Sequence, residues 1–322
     1  MTPPLITISK LASLARVPHA FPYQGSKRQL AHVILPLIPD DTPRLLEPFA
    51  GSAAISVAAR HISAVDTAII GDVNEPLMTL WRSILQDHSS LADSYERLWT
   101  EQLDDPRSYY EEVKRKFNAT REPQYFLYLL ARCVKAAVRY NQQGEFNQGA
   151  DHRRLGTKPV AMRKRLLETS NAMTGTTVRS GSYQAILASA QPGDVVYMDP
   201  PYEGVTNVSD RRYMQGLARS EFENDLAAAV KRDVSFILSY DGVTGTKRYG
   251  TPLPESLGLL HLHLHAGRSS QATLQGLDHV TIESLYLSPA LVERLGGEPA
   301  VLAILEPSYN QPPLLDDACD AP

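Results

Sequence analysis

The stretch from Arg44 to Asp72 constrains the fold more than any other part of the chain. Leu45-Leu46 runs into the turn Glu47-Pro-Phe-Ala-Gly51, an alanine-rich helix is predicted from about Ser52 to His61, and Thr67-Ala-Ile-Ile70 reads as the next strand. Strand, glycine turn, helix and strand in that order make a βαβ unit. Its turn lies at the carboxyl end of the first strand, where open α/β sheets bind ligands. Gly51 lets the backbone approach a ligand closely, and the helix behind it points free N–H groups at the same place. Asp72 lies 21 positions after Gly51, at the end of the second strand. An acid there accepts hydrogen bonds from ribose hydroxyls, and the same position also suits a cap on the turn into Asn74-Glu75-Pro76. Ala53 occupies the place of a second glycine and no third follows, which disfavours a dinucleotide site; the missing G-K-[ST] excludes a P-loop. A nucleoside-bearing cofactor other than NAD is left.

A second strand-turn-helix set begins at Asp194, a further strand runs over 234–239, and 259–265 and 280–287 read as two strands pairing at a sheet edge. Between the two sheet segments, residues 76–158 read mostly as helix, in pieces at 76–86, 90–103, 109–117 and 124–140. Helices in a row without strands do not continue a doubly wound sheet. The expected architecture is therefore α/β, with a Rossmann-like sheet domain built from residues 1–75 and 159–322. A mainly helical domain, 76–158, is inserted into it, and the tail after about Pro307 is expected to be loosely ordered.

With 322 residues and 43% hydrophobic content, the chain is large enough for one such domain plus its insertion. No apolar stretch reaches the length of a membrane span and the start lacks a secretory pattern, so a cytoplasmic location is expected. Cys133 and Cys319 alone cannot build a disulfide framework or a cysteine-rich metal site. His261, His263 and His265 alternate along one strand face, yet no cysteine or acid cluster completes a site, and no metal is expected. The net charge of −4 hides an asymmetry: residues 107–165 hold 14 Lys or Arg against 5 Asp or Glu. A local basic face binds phosphate whatever the total charge. Within it, Lys114-Arg-Lys116 and Arg163-Lys-Arg165 read as phosphate contacts or solvated charge.

Asp199-Pro-Pro-Tyr202 ends the strand that begins at Asp194. Prolines donate no backbone hydrogen bond, so the turn offers carbonyls as acceptors; Asp199 adds a carboxylate and Tyr202 a ring face. An acid, acceptor carbonyls and an aromatic at a strand end suit gripping the amino group of a flat base, although Asp and Pro are also common in ordinary turns.

Tyr23-Gln-Gly-Ser-Lys27, Glu47-Pro-Phe-Ala-Gly51, Gly71-Asp-Val-Asn74 and Asp199-Pro-Pro-Tyr202, in this order, resemble the Dam-like family of S-adenosylmethionine-dependent DNA adenine-N6 methyltransferases. Tyr140-Asn-Gln-Gln-Gly-Glu-Phe-Asn147 is similar to part of that family's target-recognition domain, and Gly267-Arg-Ser269 and Glu283-Ser-Leu285 to its closing hairpin. The resemblance implies a Rossmann-like methyltransferase sheet with S-adenosylmethionine as cofactor. Tyr23, Lys27, Glu47, Phe49, Gly51, Asp72 and Asp199 would line the cofactor site, with Asp199, Pro200 and Tyr202 catalytic. It also implies double-stranded DNA as partner, read by the insert through Asn147, Arg153, Arg154 and Lys158. The enzyme would act alone or beside a cognate restriction endonuclease at the same site. The grip at Asp199 leaves methylation of cytosine N4 or RNA open, as well as an inactive DNA-binding or modification-sensing module. Three departures matter: Ala53 replaces the family's usual second glycine, Gly181-Ser-Tyr183 stands where the family has an Asp-Phe pair, and Gln148-Gly-Ala-Asp-His-Arg-Arg154 replaces a Val-Pro-Phe-Gly run. GATC specificity is therefore not carried over.

Overall fold

The computed structural model describes residues 5–6, 14, 16–201, 218–244, 247–249, 251–268 and 280–305. Tyr202, Ser269 and the tail after Pro307 lie outside the described residues, as do the side chains of Arg268 and Glu283. No helix among the described residues is long and apolar enough to cross a membrane.

The βαβ unit forms as the sequence predicts: β1 (Leu5–Ile6) precedes it, and β2 (Arg44–Glu47) lies parallel to β3 (Thr67–Asp72). The chain then adds β4 (Thr177–Ser180), β5 (Val195–Met198), β6 (Phe236–Thr244), β7 (Lys247–Tyr249), β8 (Leu260–Arg268) and β9 (Val280–Leu287). Among the described residues all nine strands join one sheet, in the order β1-β8-β9-β6-β5-β2-β3-β4, with β7 on β6. β4, β3, β2, β5 and β6 are mutually parallel, whereas β9 runs antiparallel between β6 and β8. The β8–β9 pair expected at the sheet edge is thus present, with β1 outside it.

Strand alternation assigns side chains to two cores. Leu45, Ile70, Val195, Tyr197 and Ile237 face one cluster; their neighbours Leu46, Ile69, Val196, Met198, Phe236 and Leu238 face the other. Both faces are covered, as parallel strands with near-continuous apolar runs require. On the first face lie α1 (Ala31–Ile34), α2 (Ala54–His61) and α3 (Glu75–Glu101), followed by α4 (Pro106–Thr120), α5 (Pro123–Arg132) and α6 (Pro159–Ala172). On the second lie α7 (Tyr183–Ala188) and α8 (Arg219–Lys231). The helices of the insert do not make a separate core: Tyr110, Phe117, Phe126 and Phe146 belong to the same buried cluster as Leu45 and Val195.

Three local outcomes differ from the periodicity. The helices expected at 76–86 and 90–103 are one helix, α3, broken at Asp87 (φ −153°, ψ 68°), whose carboxylate accepts the Ser90 N–H at 3.0 Å. The helix expected over 124–140 stops at Arg132, because Lys135 and Ala136 adopt positive φ and the chain doubles back, bridging Cys133 to Ala150 and Tyr140 to Phe146. Helix α2 starts at Ala54, since Ala53 sits in the left-handed region (φ 48°) and carries a glycine's conformation without being one.

Ala53 offers no side-chain cap to α2. Glu47 supplies it instead. This buried carboxylate accepts the Ser56 N–H at 2.9 Å and the Ser56 hydroxyl at 2.5 Å. Burial pushes its pKa up to about 7; the Ser56 hydrogen bonds oppose the rise and the nearby Asp199 charge adds to it.

A raised folded-state pKa means that the contribution of Glu47 to stability is complete below its ordinary value of 4.5 and is lost as pH rises through about 7. Urea midpoints should therefore fall between pH 5 and pH 8. Glu47→Gln, which keeps an acceptor for Ser56, should remove up to roughly 3 kcal/mol of that slope. Identical pH slopes in the two proteins would show that Glu47 does not titrate in this window.

Candidate active site

The sheet order reverses between β2 and β5: from β2 the chain proceeds outward to β3 and β4, then returns to place β5 and β6 on the other side. Such a switch point leaves a crevice outside the carboxyl ends of the two strands. β2 ends at Glu47 and β5 at Met198, so the turns Pro48-Phe-Ala-Gly51 and Asp199-Pro-Pro201 open on the same crevice. The fold thus brings together the two motifs that are 148 positions apart in the chain, from Gly51 to Asp199.

The first motif closes over this point. Tyr23 lies so near Gly51 that a Cβ there would meet the tyrosine ring at 3.0 Å; Gly51, at φ +47°, is thus required twice over. The Ser52 hydroxyl meets that of Ser26 at 2.8 Å, and the Gln24 N–H donates to the Ala136 carbonyl at 3.0 Å. The loop is held between the glycine turn and the start of the doubled-back segment. Lys27 then places its Nζ 3.5 Å from Asp199 Oδ1, with side-chain exposures of only 13% and 20%.

Asp72 is held by backbone donors. Its Oδ2 accepts the Gly51 N–H at 3.1 Å and its Oδ1 the Asn74 N–H at 2.9 Å. Burial raises its pKa, and the N–H bonds of Asn74, Gly51 and Val73 oppose the rise. The capping role and an acceptor role are compatible, because a carboxylate offers about four lone-pair positions. Asn74 caps α3 through the Leu77 N–H at 3.4 Å and accepts the Tyr140 hydroxyl at 3.1 Å. Trp81 donates to the Gly51 carbonyl at 3.0 Å.

Phe49 stacks on Tyr183 with ring centroids 5.0 Å apart and meets Phe222 edge-on at 6.3 Å. Sequence reasoning noted the Gly181-Ser-Tyr183 turn after β4 as a departure but gave Tyr183 no place in the site. Ser182, which stands in an acid's place, accepts the Gln184 N–H at 3.3 Å and donates to the Gln184 side chain at 2.5 Å, so it caps α7.

Asn147, Arg153, Arg154 and Lys158 are exposed and lie on the doubled-back segment and the loop after it. Arg153 grips Asp151 with two hydrogen bonds, at 3.1 and 3.2 Å, and Arg154 reaches the same carboxylate at 3.8 Å. Buried Arg132 donates to the carbonyls of Asp151, Arg154 and Pro106 and so fixes the loop from within. His261 stacks on Tyr286 at 4.1 Å, with burial first and His263 second lowering its pKa to about 4. It lines a cleft of about 620 Å³ beside α9 (Pro289–Arg294) and α10 (Glu298–Leu305). That cleft sits at the amino end of β6, away from the switch point.

A family model for D12 class N6 adenine-specific DNA methyltransferases matches residues 23–262. A retron Ec67 DNA adenine methylase of Escherichia coli is 32% identical over 168 residues, covering 50% of this chain and 56% of the relative. A DNA N-6-adenine-methyltransferase of Escherichia phage P1 is 28% identical over 196 residues, 58% of this chain and 24% of the relative. A type II methyltransferase, M1.LlaDCHI, of Lactococcus lactis subsp. cremoris is 26% identical over 198 residues, 58% of this chain and 66% of the relative. The chain thus spans about half the first relative and a quarter of the second. Sheet order, switch-point crevice and the matched region, which runs from Tyr23 through Asp199 to β8, agree: this chain belongs to the D12 class N6 adenine-specific DNA methyltransferase family.

Proposed function

We propose that the protein transfers a methyl group from S-adenosylmethionine to the N6 amino group of an adenine flipped out of duplex DNA. The observation that carries this reading is Asp199, at the carboxyl end of β5 on the switch-point crevice, with Lys27 of the first motif 3.5 Å away. An adenine N6 lone pair is delocalised into the ring and is a poor nucleophile. Asp199 and the Pro200 carbonyl accept the two amino hydrogens, drawing the nitrogen toward a tetrahedral shape and turning its lone pair toward the methyl donor. This is orientation and electrostatic preorganisation rather than covalent catalysis. The Lys27 ammonium balances the Asp199 charge in a half-closed crevice. The base must leave the helix to reach these groups, and Tyr202 offers it a stacking face.

The residues around the glycine turn fit the cofactor. Gly51 lets the Tyr23 ring pack directly on the turn, where any Cβ would meet it at 3.0 Å, Asp72 retains lone pairs for ribose hydroxyls, and Phe49 with Tyr183 forms an aromatic wall. When bound, S-adenosylmethionine supplies a positively charged sulfonium methyl as the electrophile. Glu47 supports the turn by capping α2.

In this reading the insert, residues 76–158, recognises the DNA, with Asn147, Arg153 and Arg154 toward the bases and Lys158 on the backbone. Asp151 pre-orients the Arg153 fork, which suits bidentate reading of a guanine edge. A cytoplasmic enzyme working beside a restriction endonuclease of the same specificity fits the type II name of one relative.

Incubating the protein with duplex DNA and labelled donor, then analysing the modified base, tests the activity; N4-methylcytosine or unmodified DNA would refute it. Asp199→Ala should lower methyl transfer by roughly two to three orders of magnitude while cofactor binding persists. Near-wild-type turnover would remove Asp199 from the chemistry. Asp72→Asn should weaken cofactor binding by about 1.5–3 kcal/mol with little change in turnover at saturating donor. Calorimetry showing unchanged affinity would reduce Asp72 to a structural cap. Arg153→Ala or Arg154→Ala should relax discrimination at one base pair by about 1–3 kcal/mol, at a site other than plain GATC. Equal weakening on every sequence would make these arginines backbone anchors.

A further inference from the structure

The turns that carry Phe49 and Tyr183 both lean on the end of β3. The Ala50 N–H donates to the Gly71 carbonyl at 2.8 Å, and the Gly181 N–H to the Asp72 carbonyl at 3.1 Å. A Cβ on Gly71 would strike the Ile186 side chain, so this glycine lets α7 settle against the strand. Phe49 and Tyr183 thus meet beside Asp72, their rings stacked at 5.0 Å with planes 24° apart. Phe222 of α8 meets both rings edge-on, 6.3 Å from Phe49 and 5.6 Å from Tyr183.

Stacking alone leaves a ring free to slide in its plane, and a bond to the far end of Tyr183 removes that freedom. Its hydroxyl donates to Asp225 Oδ2 at 2.5 Å, the length of a charge-assisted bond. Burial first, then Asp225, raise the Tyr183 pKa, so the phenol keeps its proton and remains the donor. Gln184 reinforces the clasp. Its Nε2 donates to the same Asp225 oxygen at 3.0 Å and to Glu221 Oε1 at 2.7 Å, while the Ser182 hydroxyl occupies its Oε1. Glu221 and Asp225 are four positions apart on α8, with Phe222 between them, so one helix face supplies all three contacts. α7 has only six residues, too few to be a stable helix by itself, and its setting is decided by these contacts.

We propose that Asp225 is a positioning residue for the methyl donor: acting through the Tyr183 hydroxyl, it fixes the Phe49–Tyr183 stack as the wall that receives the base end of S-adenosylmethionine. The inference rests on the methyltransferase reading above, in which Asp72 takes the ribose. A base attached to that ribose needs a flat apolar surface close to Asp72, and the stack is joined to Gly71 and Asp72 by backbone hydrogen bonds. Asp225 acts at one remove. It keeps the ring from shifting, which preorganises the pocket before the donor arrives.

Asp225→Ala, Asp225→Asn, Tyr183→Phe and the double variant Tyr183→Phe with Asp225→Ala test this in the full chain. The measurements are methyl transfer to duplex DNA at varied donor, calorimetry of S-adenosylmethionine and S-adenosylhomocysteine binding, and thermal midpoints without ligand. Asp225→Ala should raise the donor KM and both dissociation constants by the same factor, roughly five- to tenfold for one lost hydrogen bond, with kcat at saturating donor within about twofold of wild type. Asp225→Asn, which keeps an acceptor, should recover most of that affinity. Tyr183→Phe should resemble Asp225→Ala, and the double variant should be no worse than Asp225→Ala, because both changes remove the same bond. A fall in kcat with donor KM unchanged, or weaker binding of S-adenosylmethionine alone, would place Asp225 away from the base end and overturn the proposal. Losses that add in the double variant, with lowered midpoints, would mark a structural tie between α7 and α8 and overturn it too. If Asp225→Ala does not fold, the two conservative variants decide: a Tyr183→Phe protein that binds donor as tightly as the wild type refutes the tether. A wild type that methylates DNA beside unaffected variants sinks the positioning role alone, whereas a wild type that binds no S-adenosylmethionine sinks the donor reading with it.

Discussion

The carboxylate of Asp72 holds the crevice in shape. One oxygen receives the N–H of Gly51 and the other that of Asn74, so the glycine turn after β2 and the start of α3 are fixed by a single side chain at the end of β3. Asn74 passes the restraint on: it caps α3 and accepts the hydroxyl of buried Tyr140, at the foot of the doubled-back segment. A buried acid costs free energy unless donors surround it, and here the donors are the backbone groups that a ligand-binding turn must keep in place. Under the proposed function, capping and ligand binding are two uses of one geometry.

The other two acids at the switch point are satisfied by different means. Glu47 is bonded into the buried start of α2, where Ala53 has no polar side chain to act as cap. Asp199 has a cation beside it, delivered by a loop that is itself pinned at Gly51, Ser52 and Ala136. A hydrogen-bonded cap makes a rigid support; an ion pair at 3.5 Å balances charge while leaving carboxylate lone pairs available to a substrate.

The sheet and the crevice were legible because their signals are local. The apolar runs around Leu45, Ile69 and Val196, the glycine at 51 and the acid at 72 each follow from backbone physics within a few residues. Helix α6 and strand β4 were not recognised. Only Met162, Leu166 and Thr169 of α6 are buried, a spacing that could have revealed the helix, whereas β4 is an edge strand whose residues are mostly exposed and carry no alternation. The end of α5 was illegible for another reason. Val134, Ala137 and Val138 keep helical spacing, but positive φ at Lys135 and Ala136 and the carbonyls gathered by Arg132 come from contacts with residues 149–154. The stacking of Phe49 on Tyr183 and the Tyr140–Asn74 bond join residues far apart in sequence, which no reading of local pattern supplies.

The continuity of the first core has an engineering consequence. Phe117, Phe126 and Phe146 interlock at centroid distances of 4.9 to 6.3 Å and share a buried cluster with the strands beneath. The helical insert therefore cannot be exchanged between relatives as a cassette cut at its sequence boundaries; a graft there would sever one packed interior and leave two raw surfaces. The transplantable part is the exposed rim, Gln142, Gln143, Glu145 and residues 152–155, while Phe146, Arg132 and Tyr140 hold the frame behind it. Substitutions on that rim leave the interior that supports it untouched.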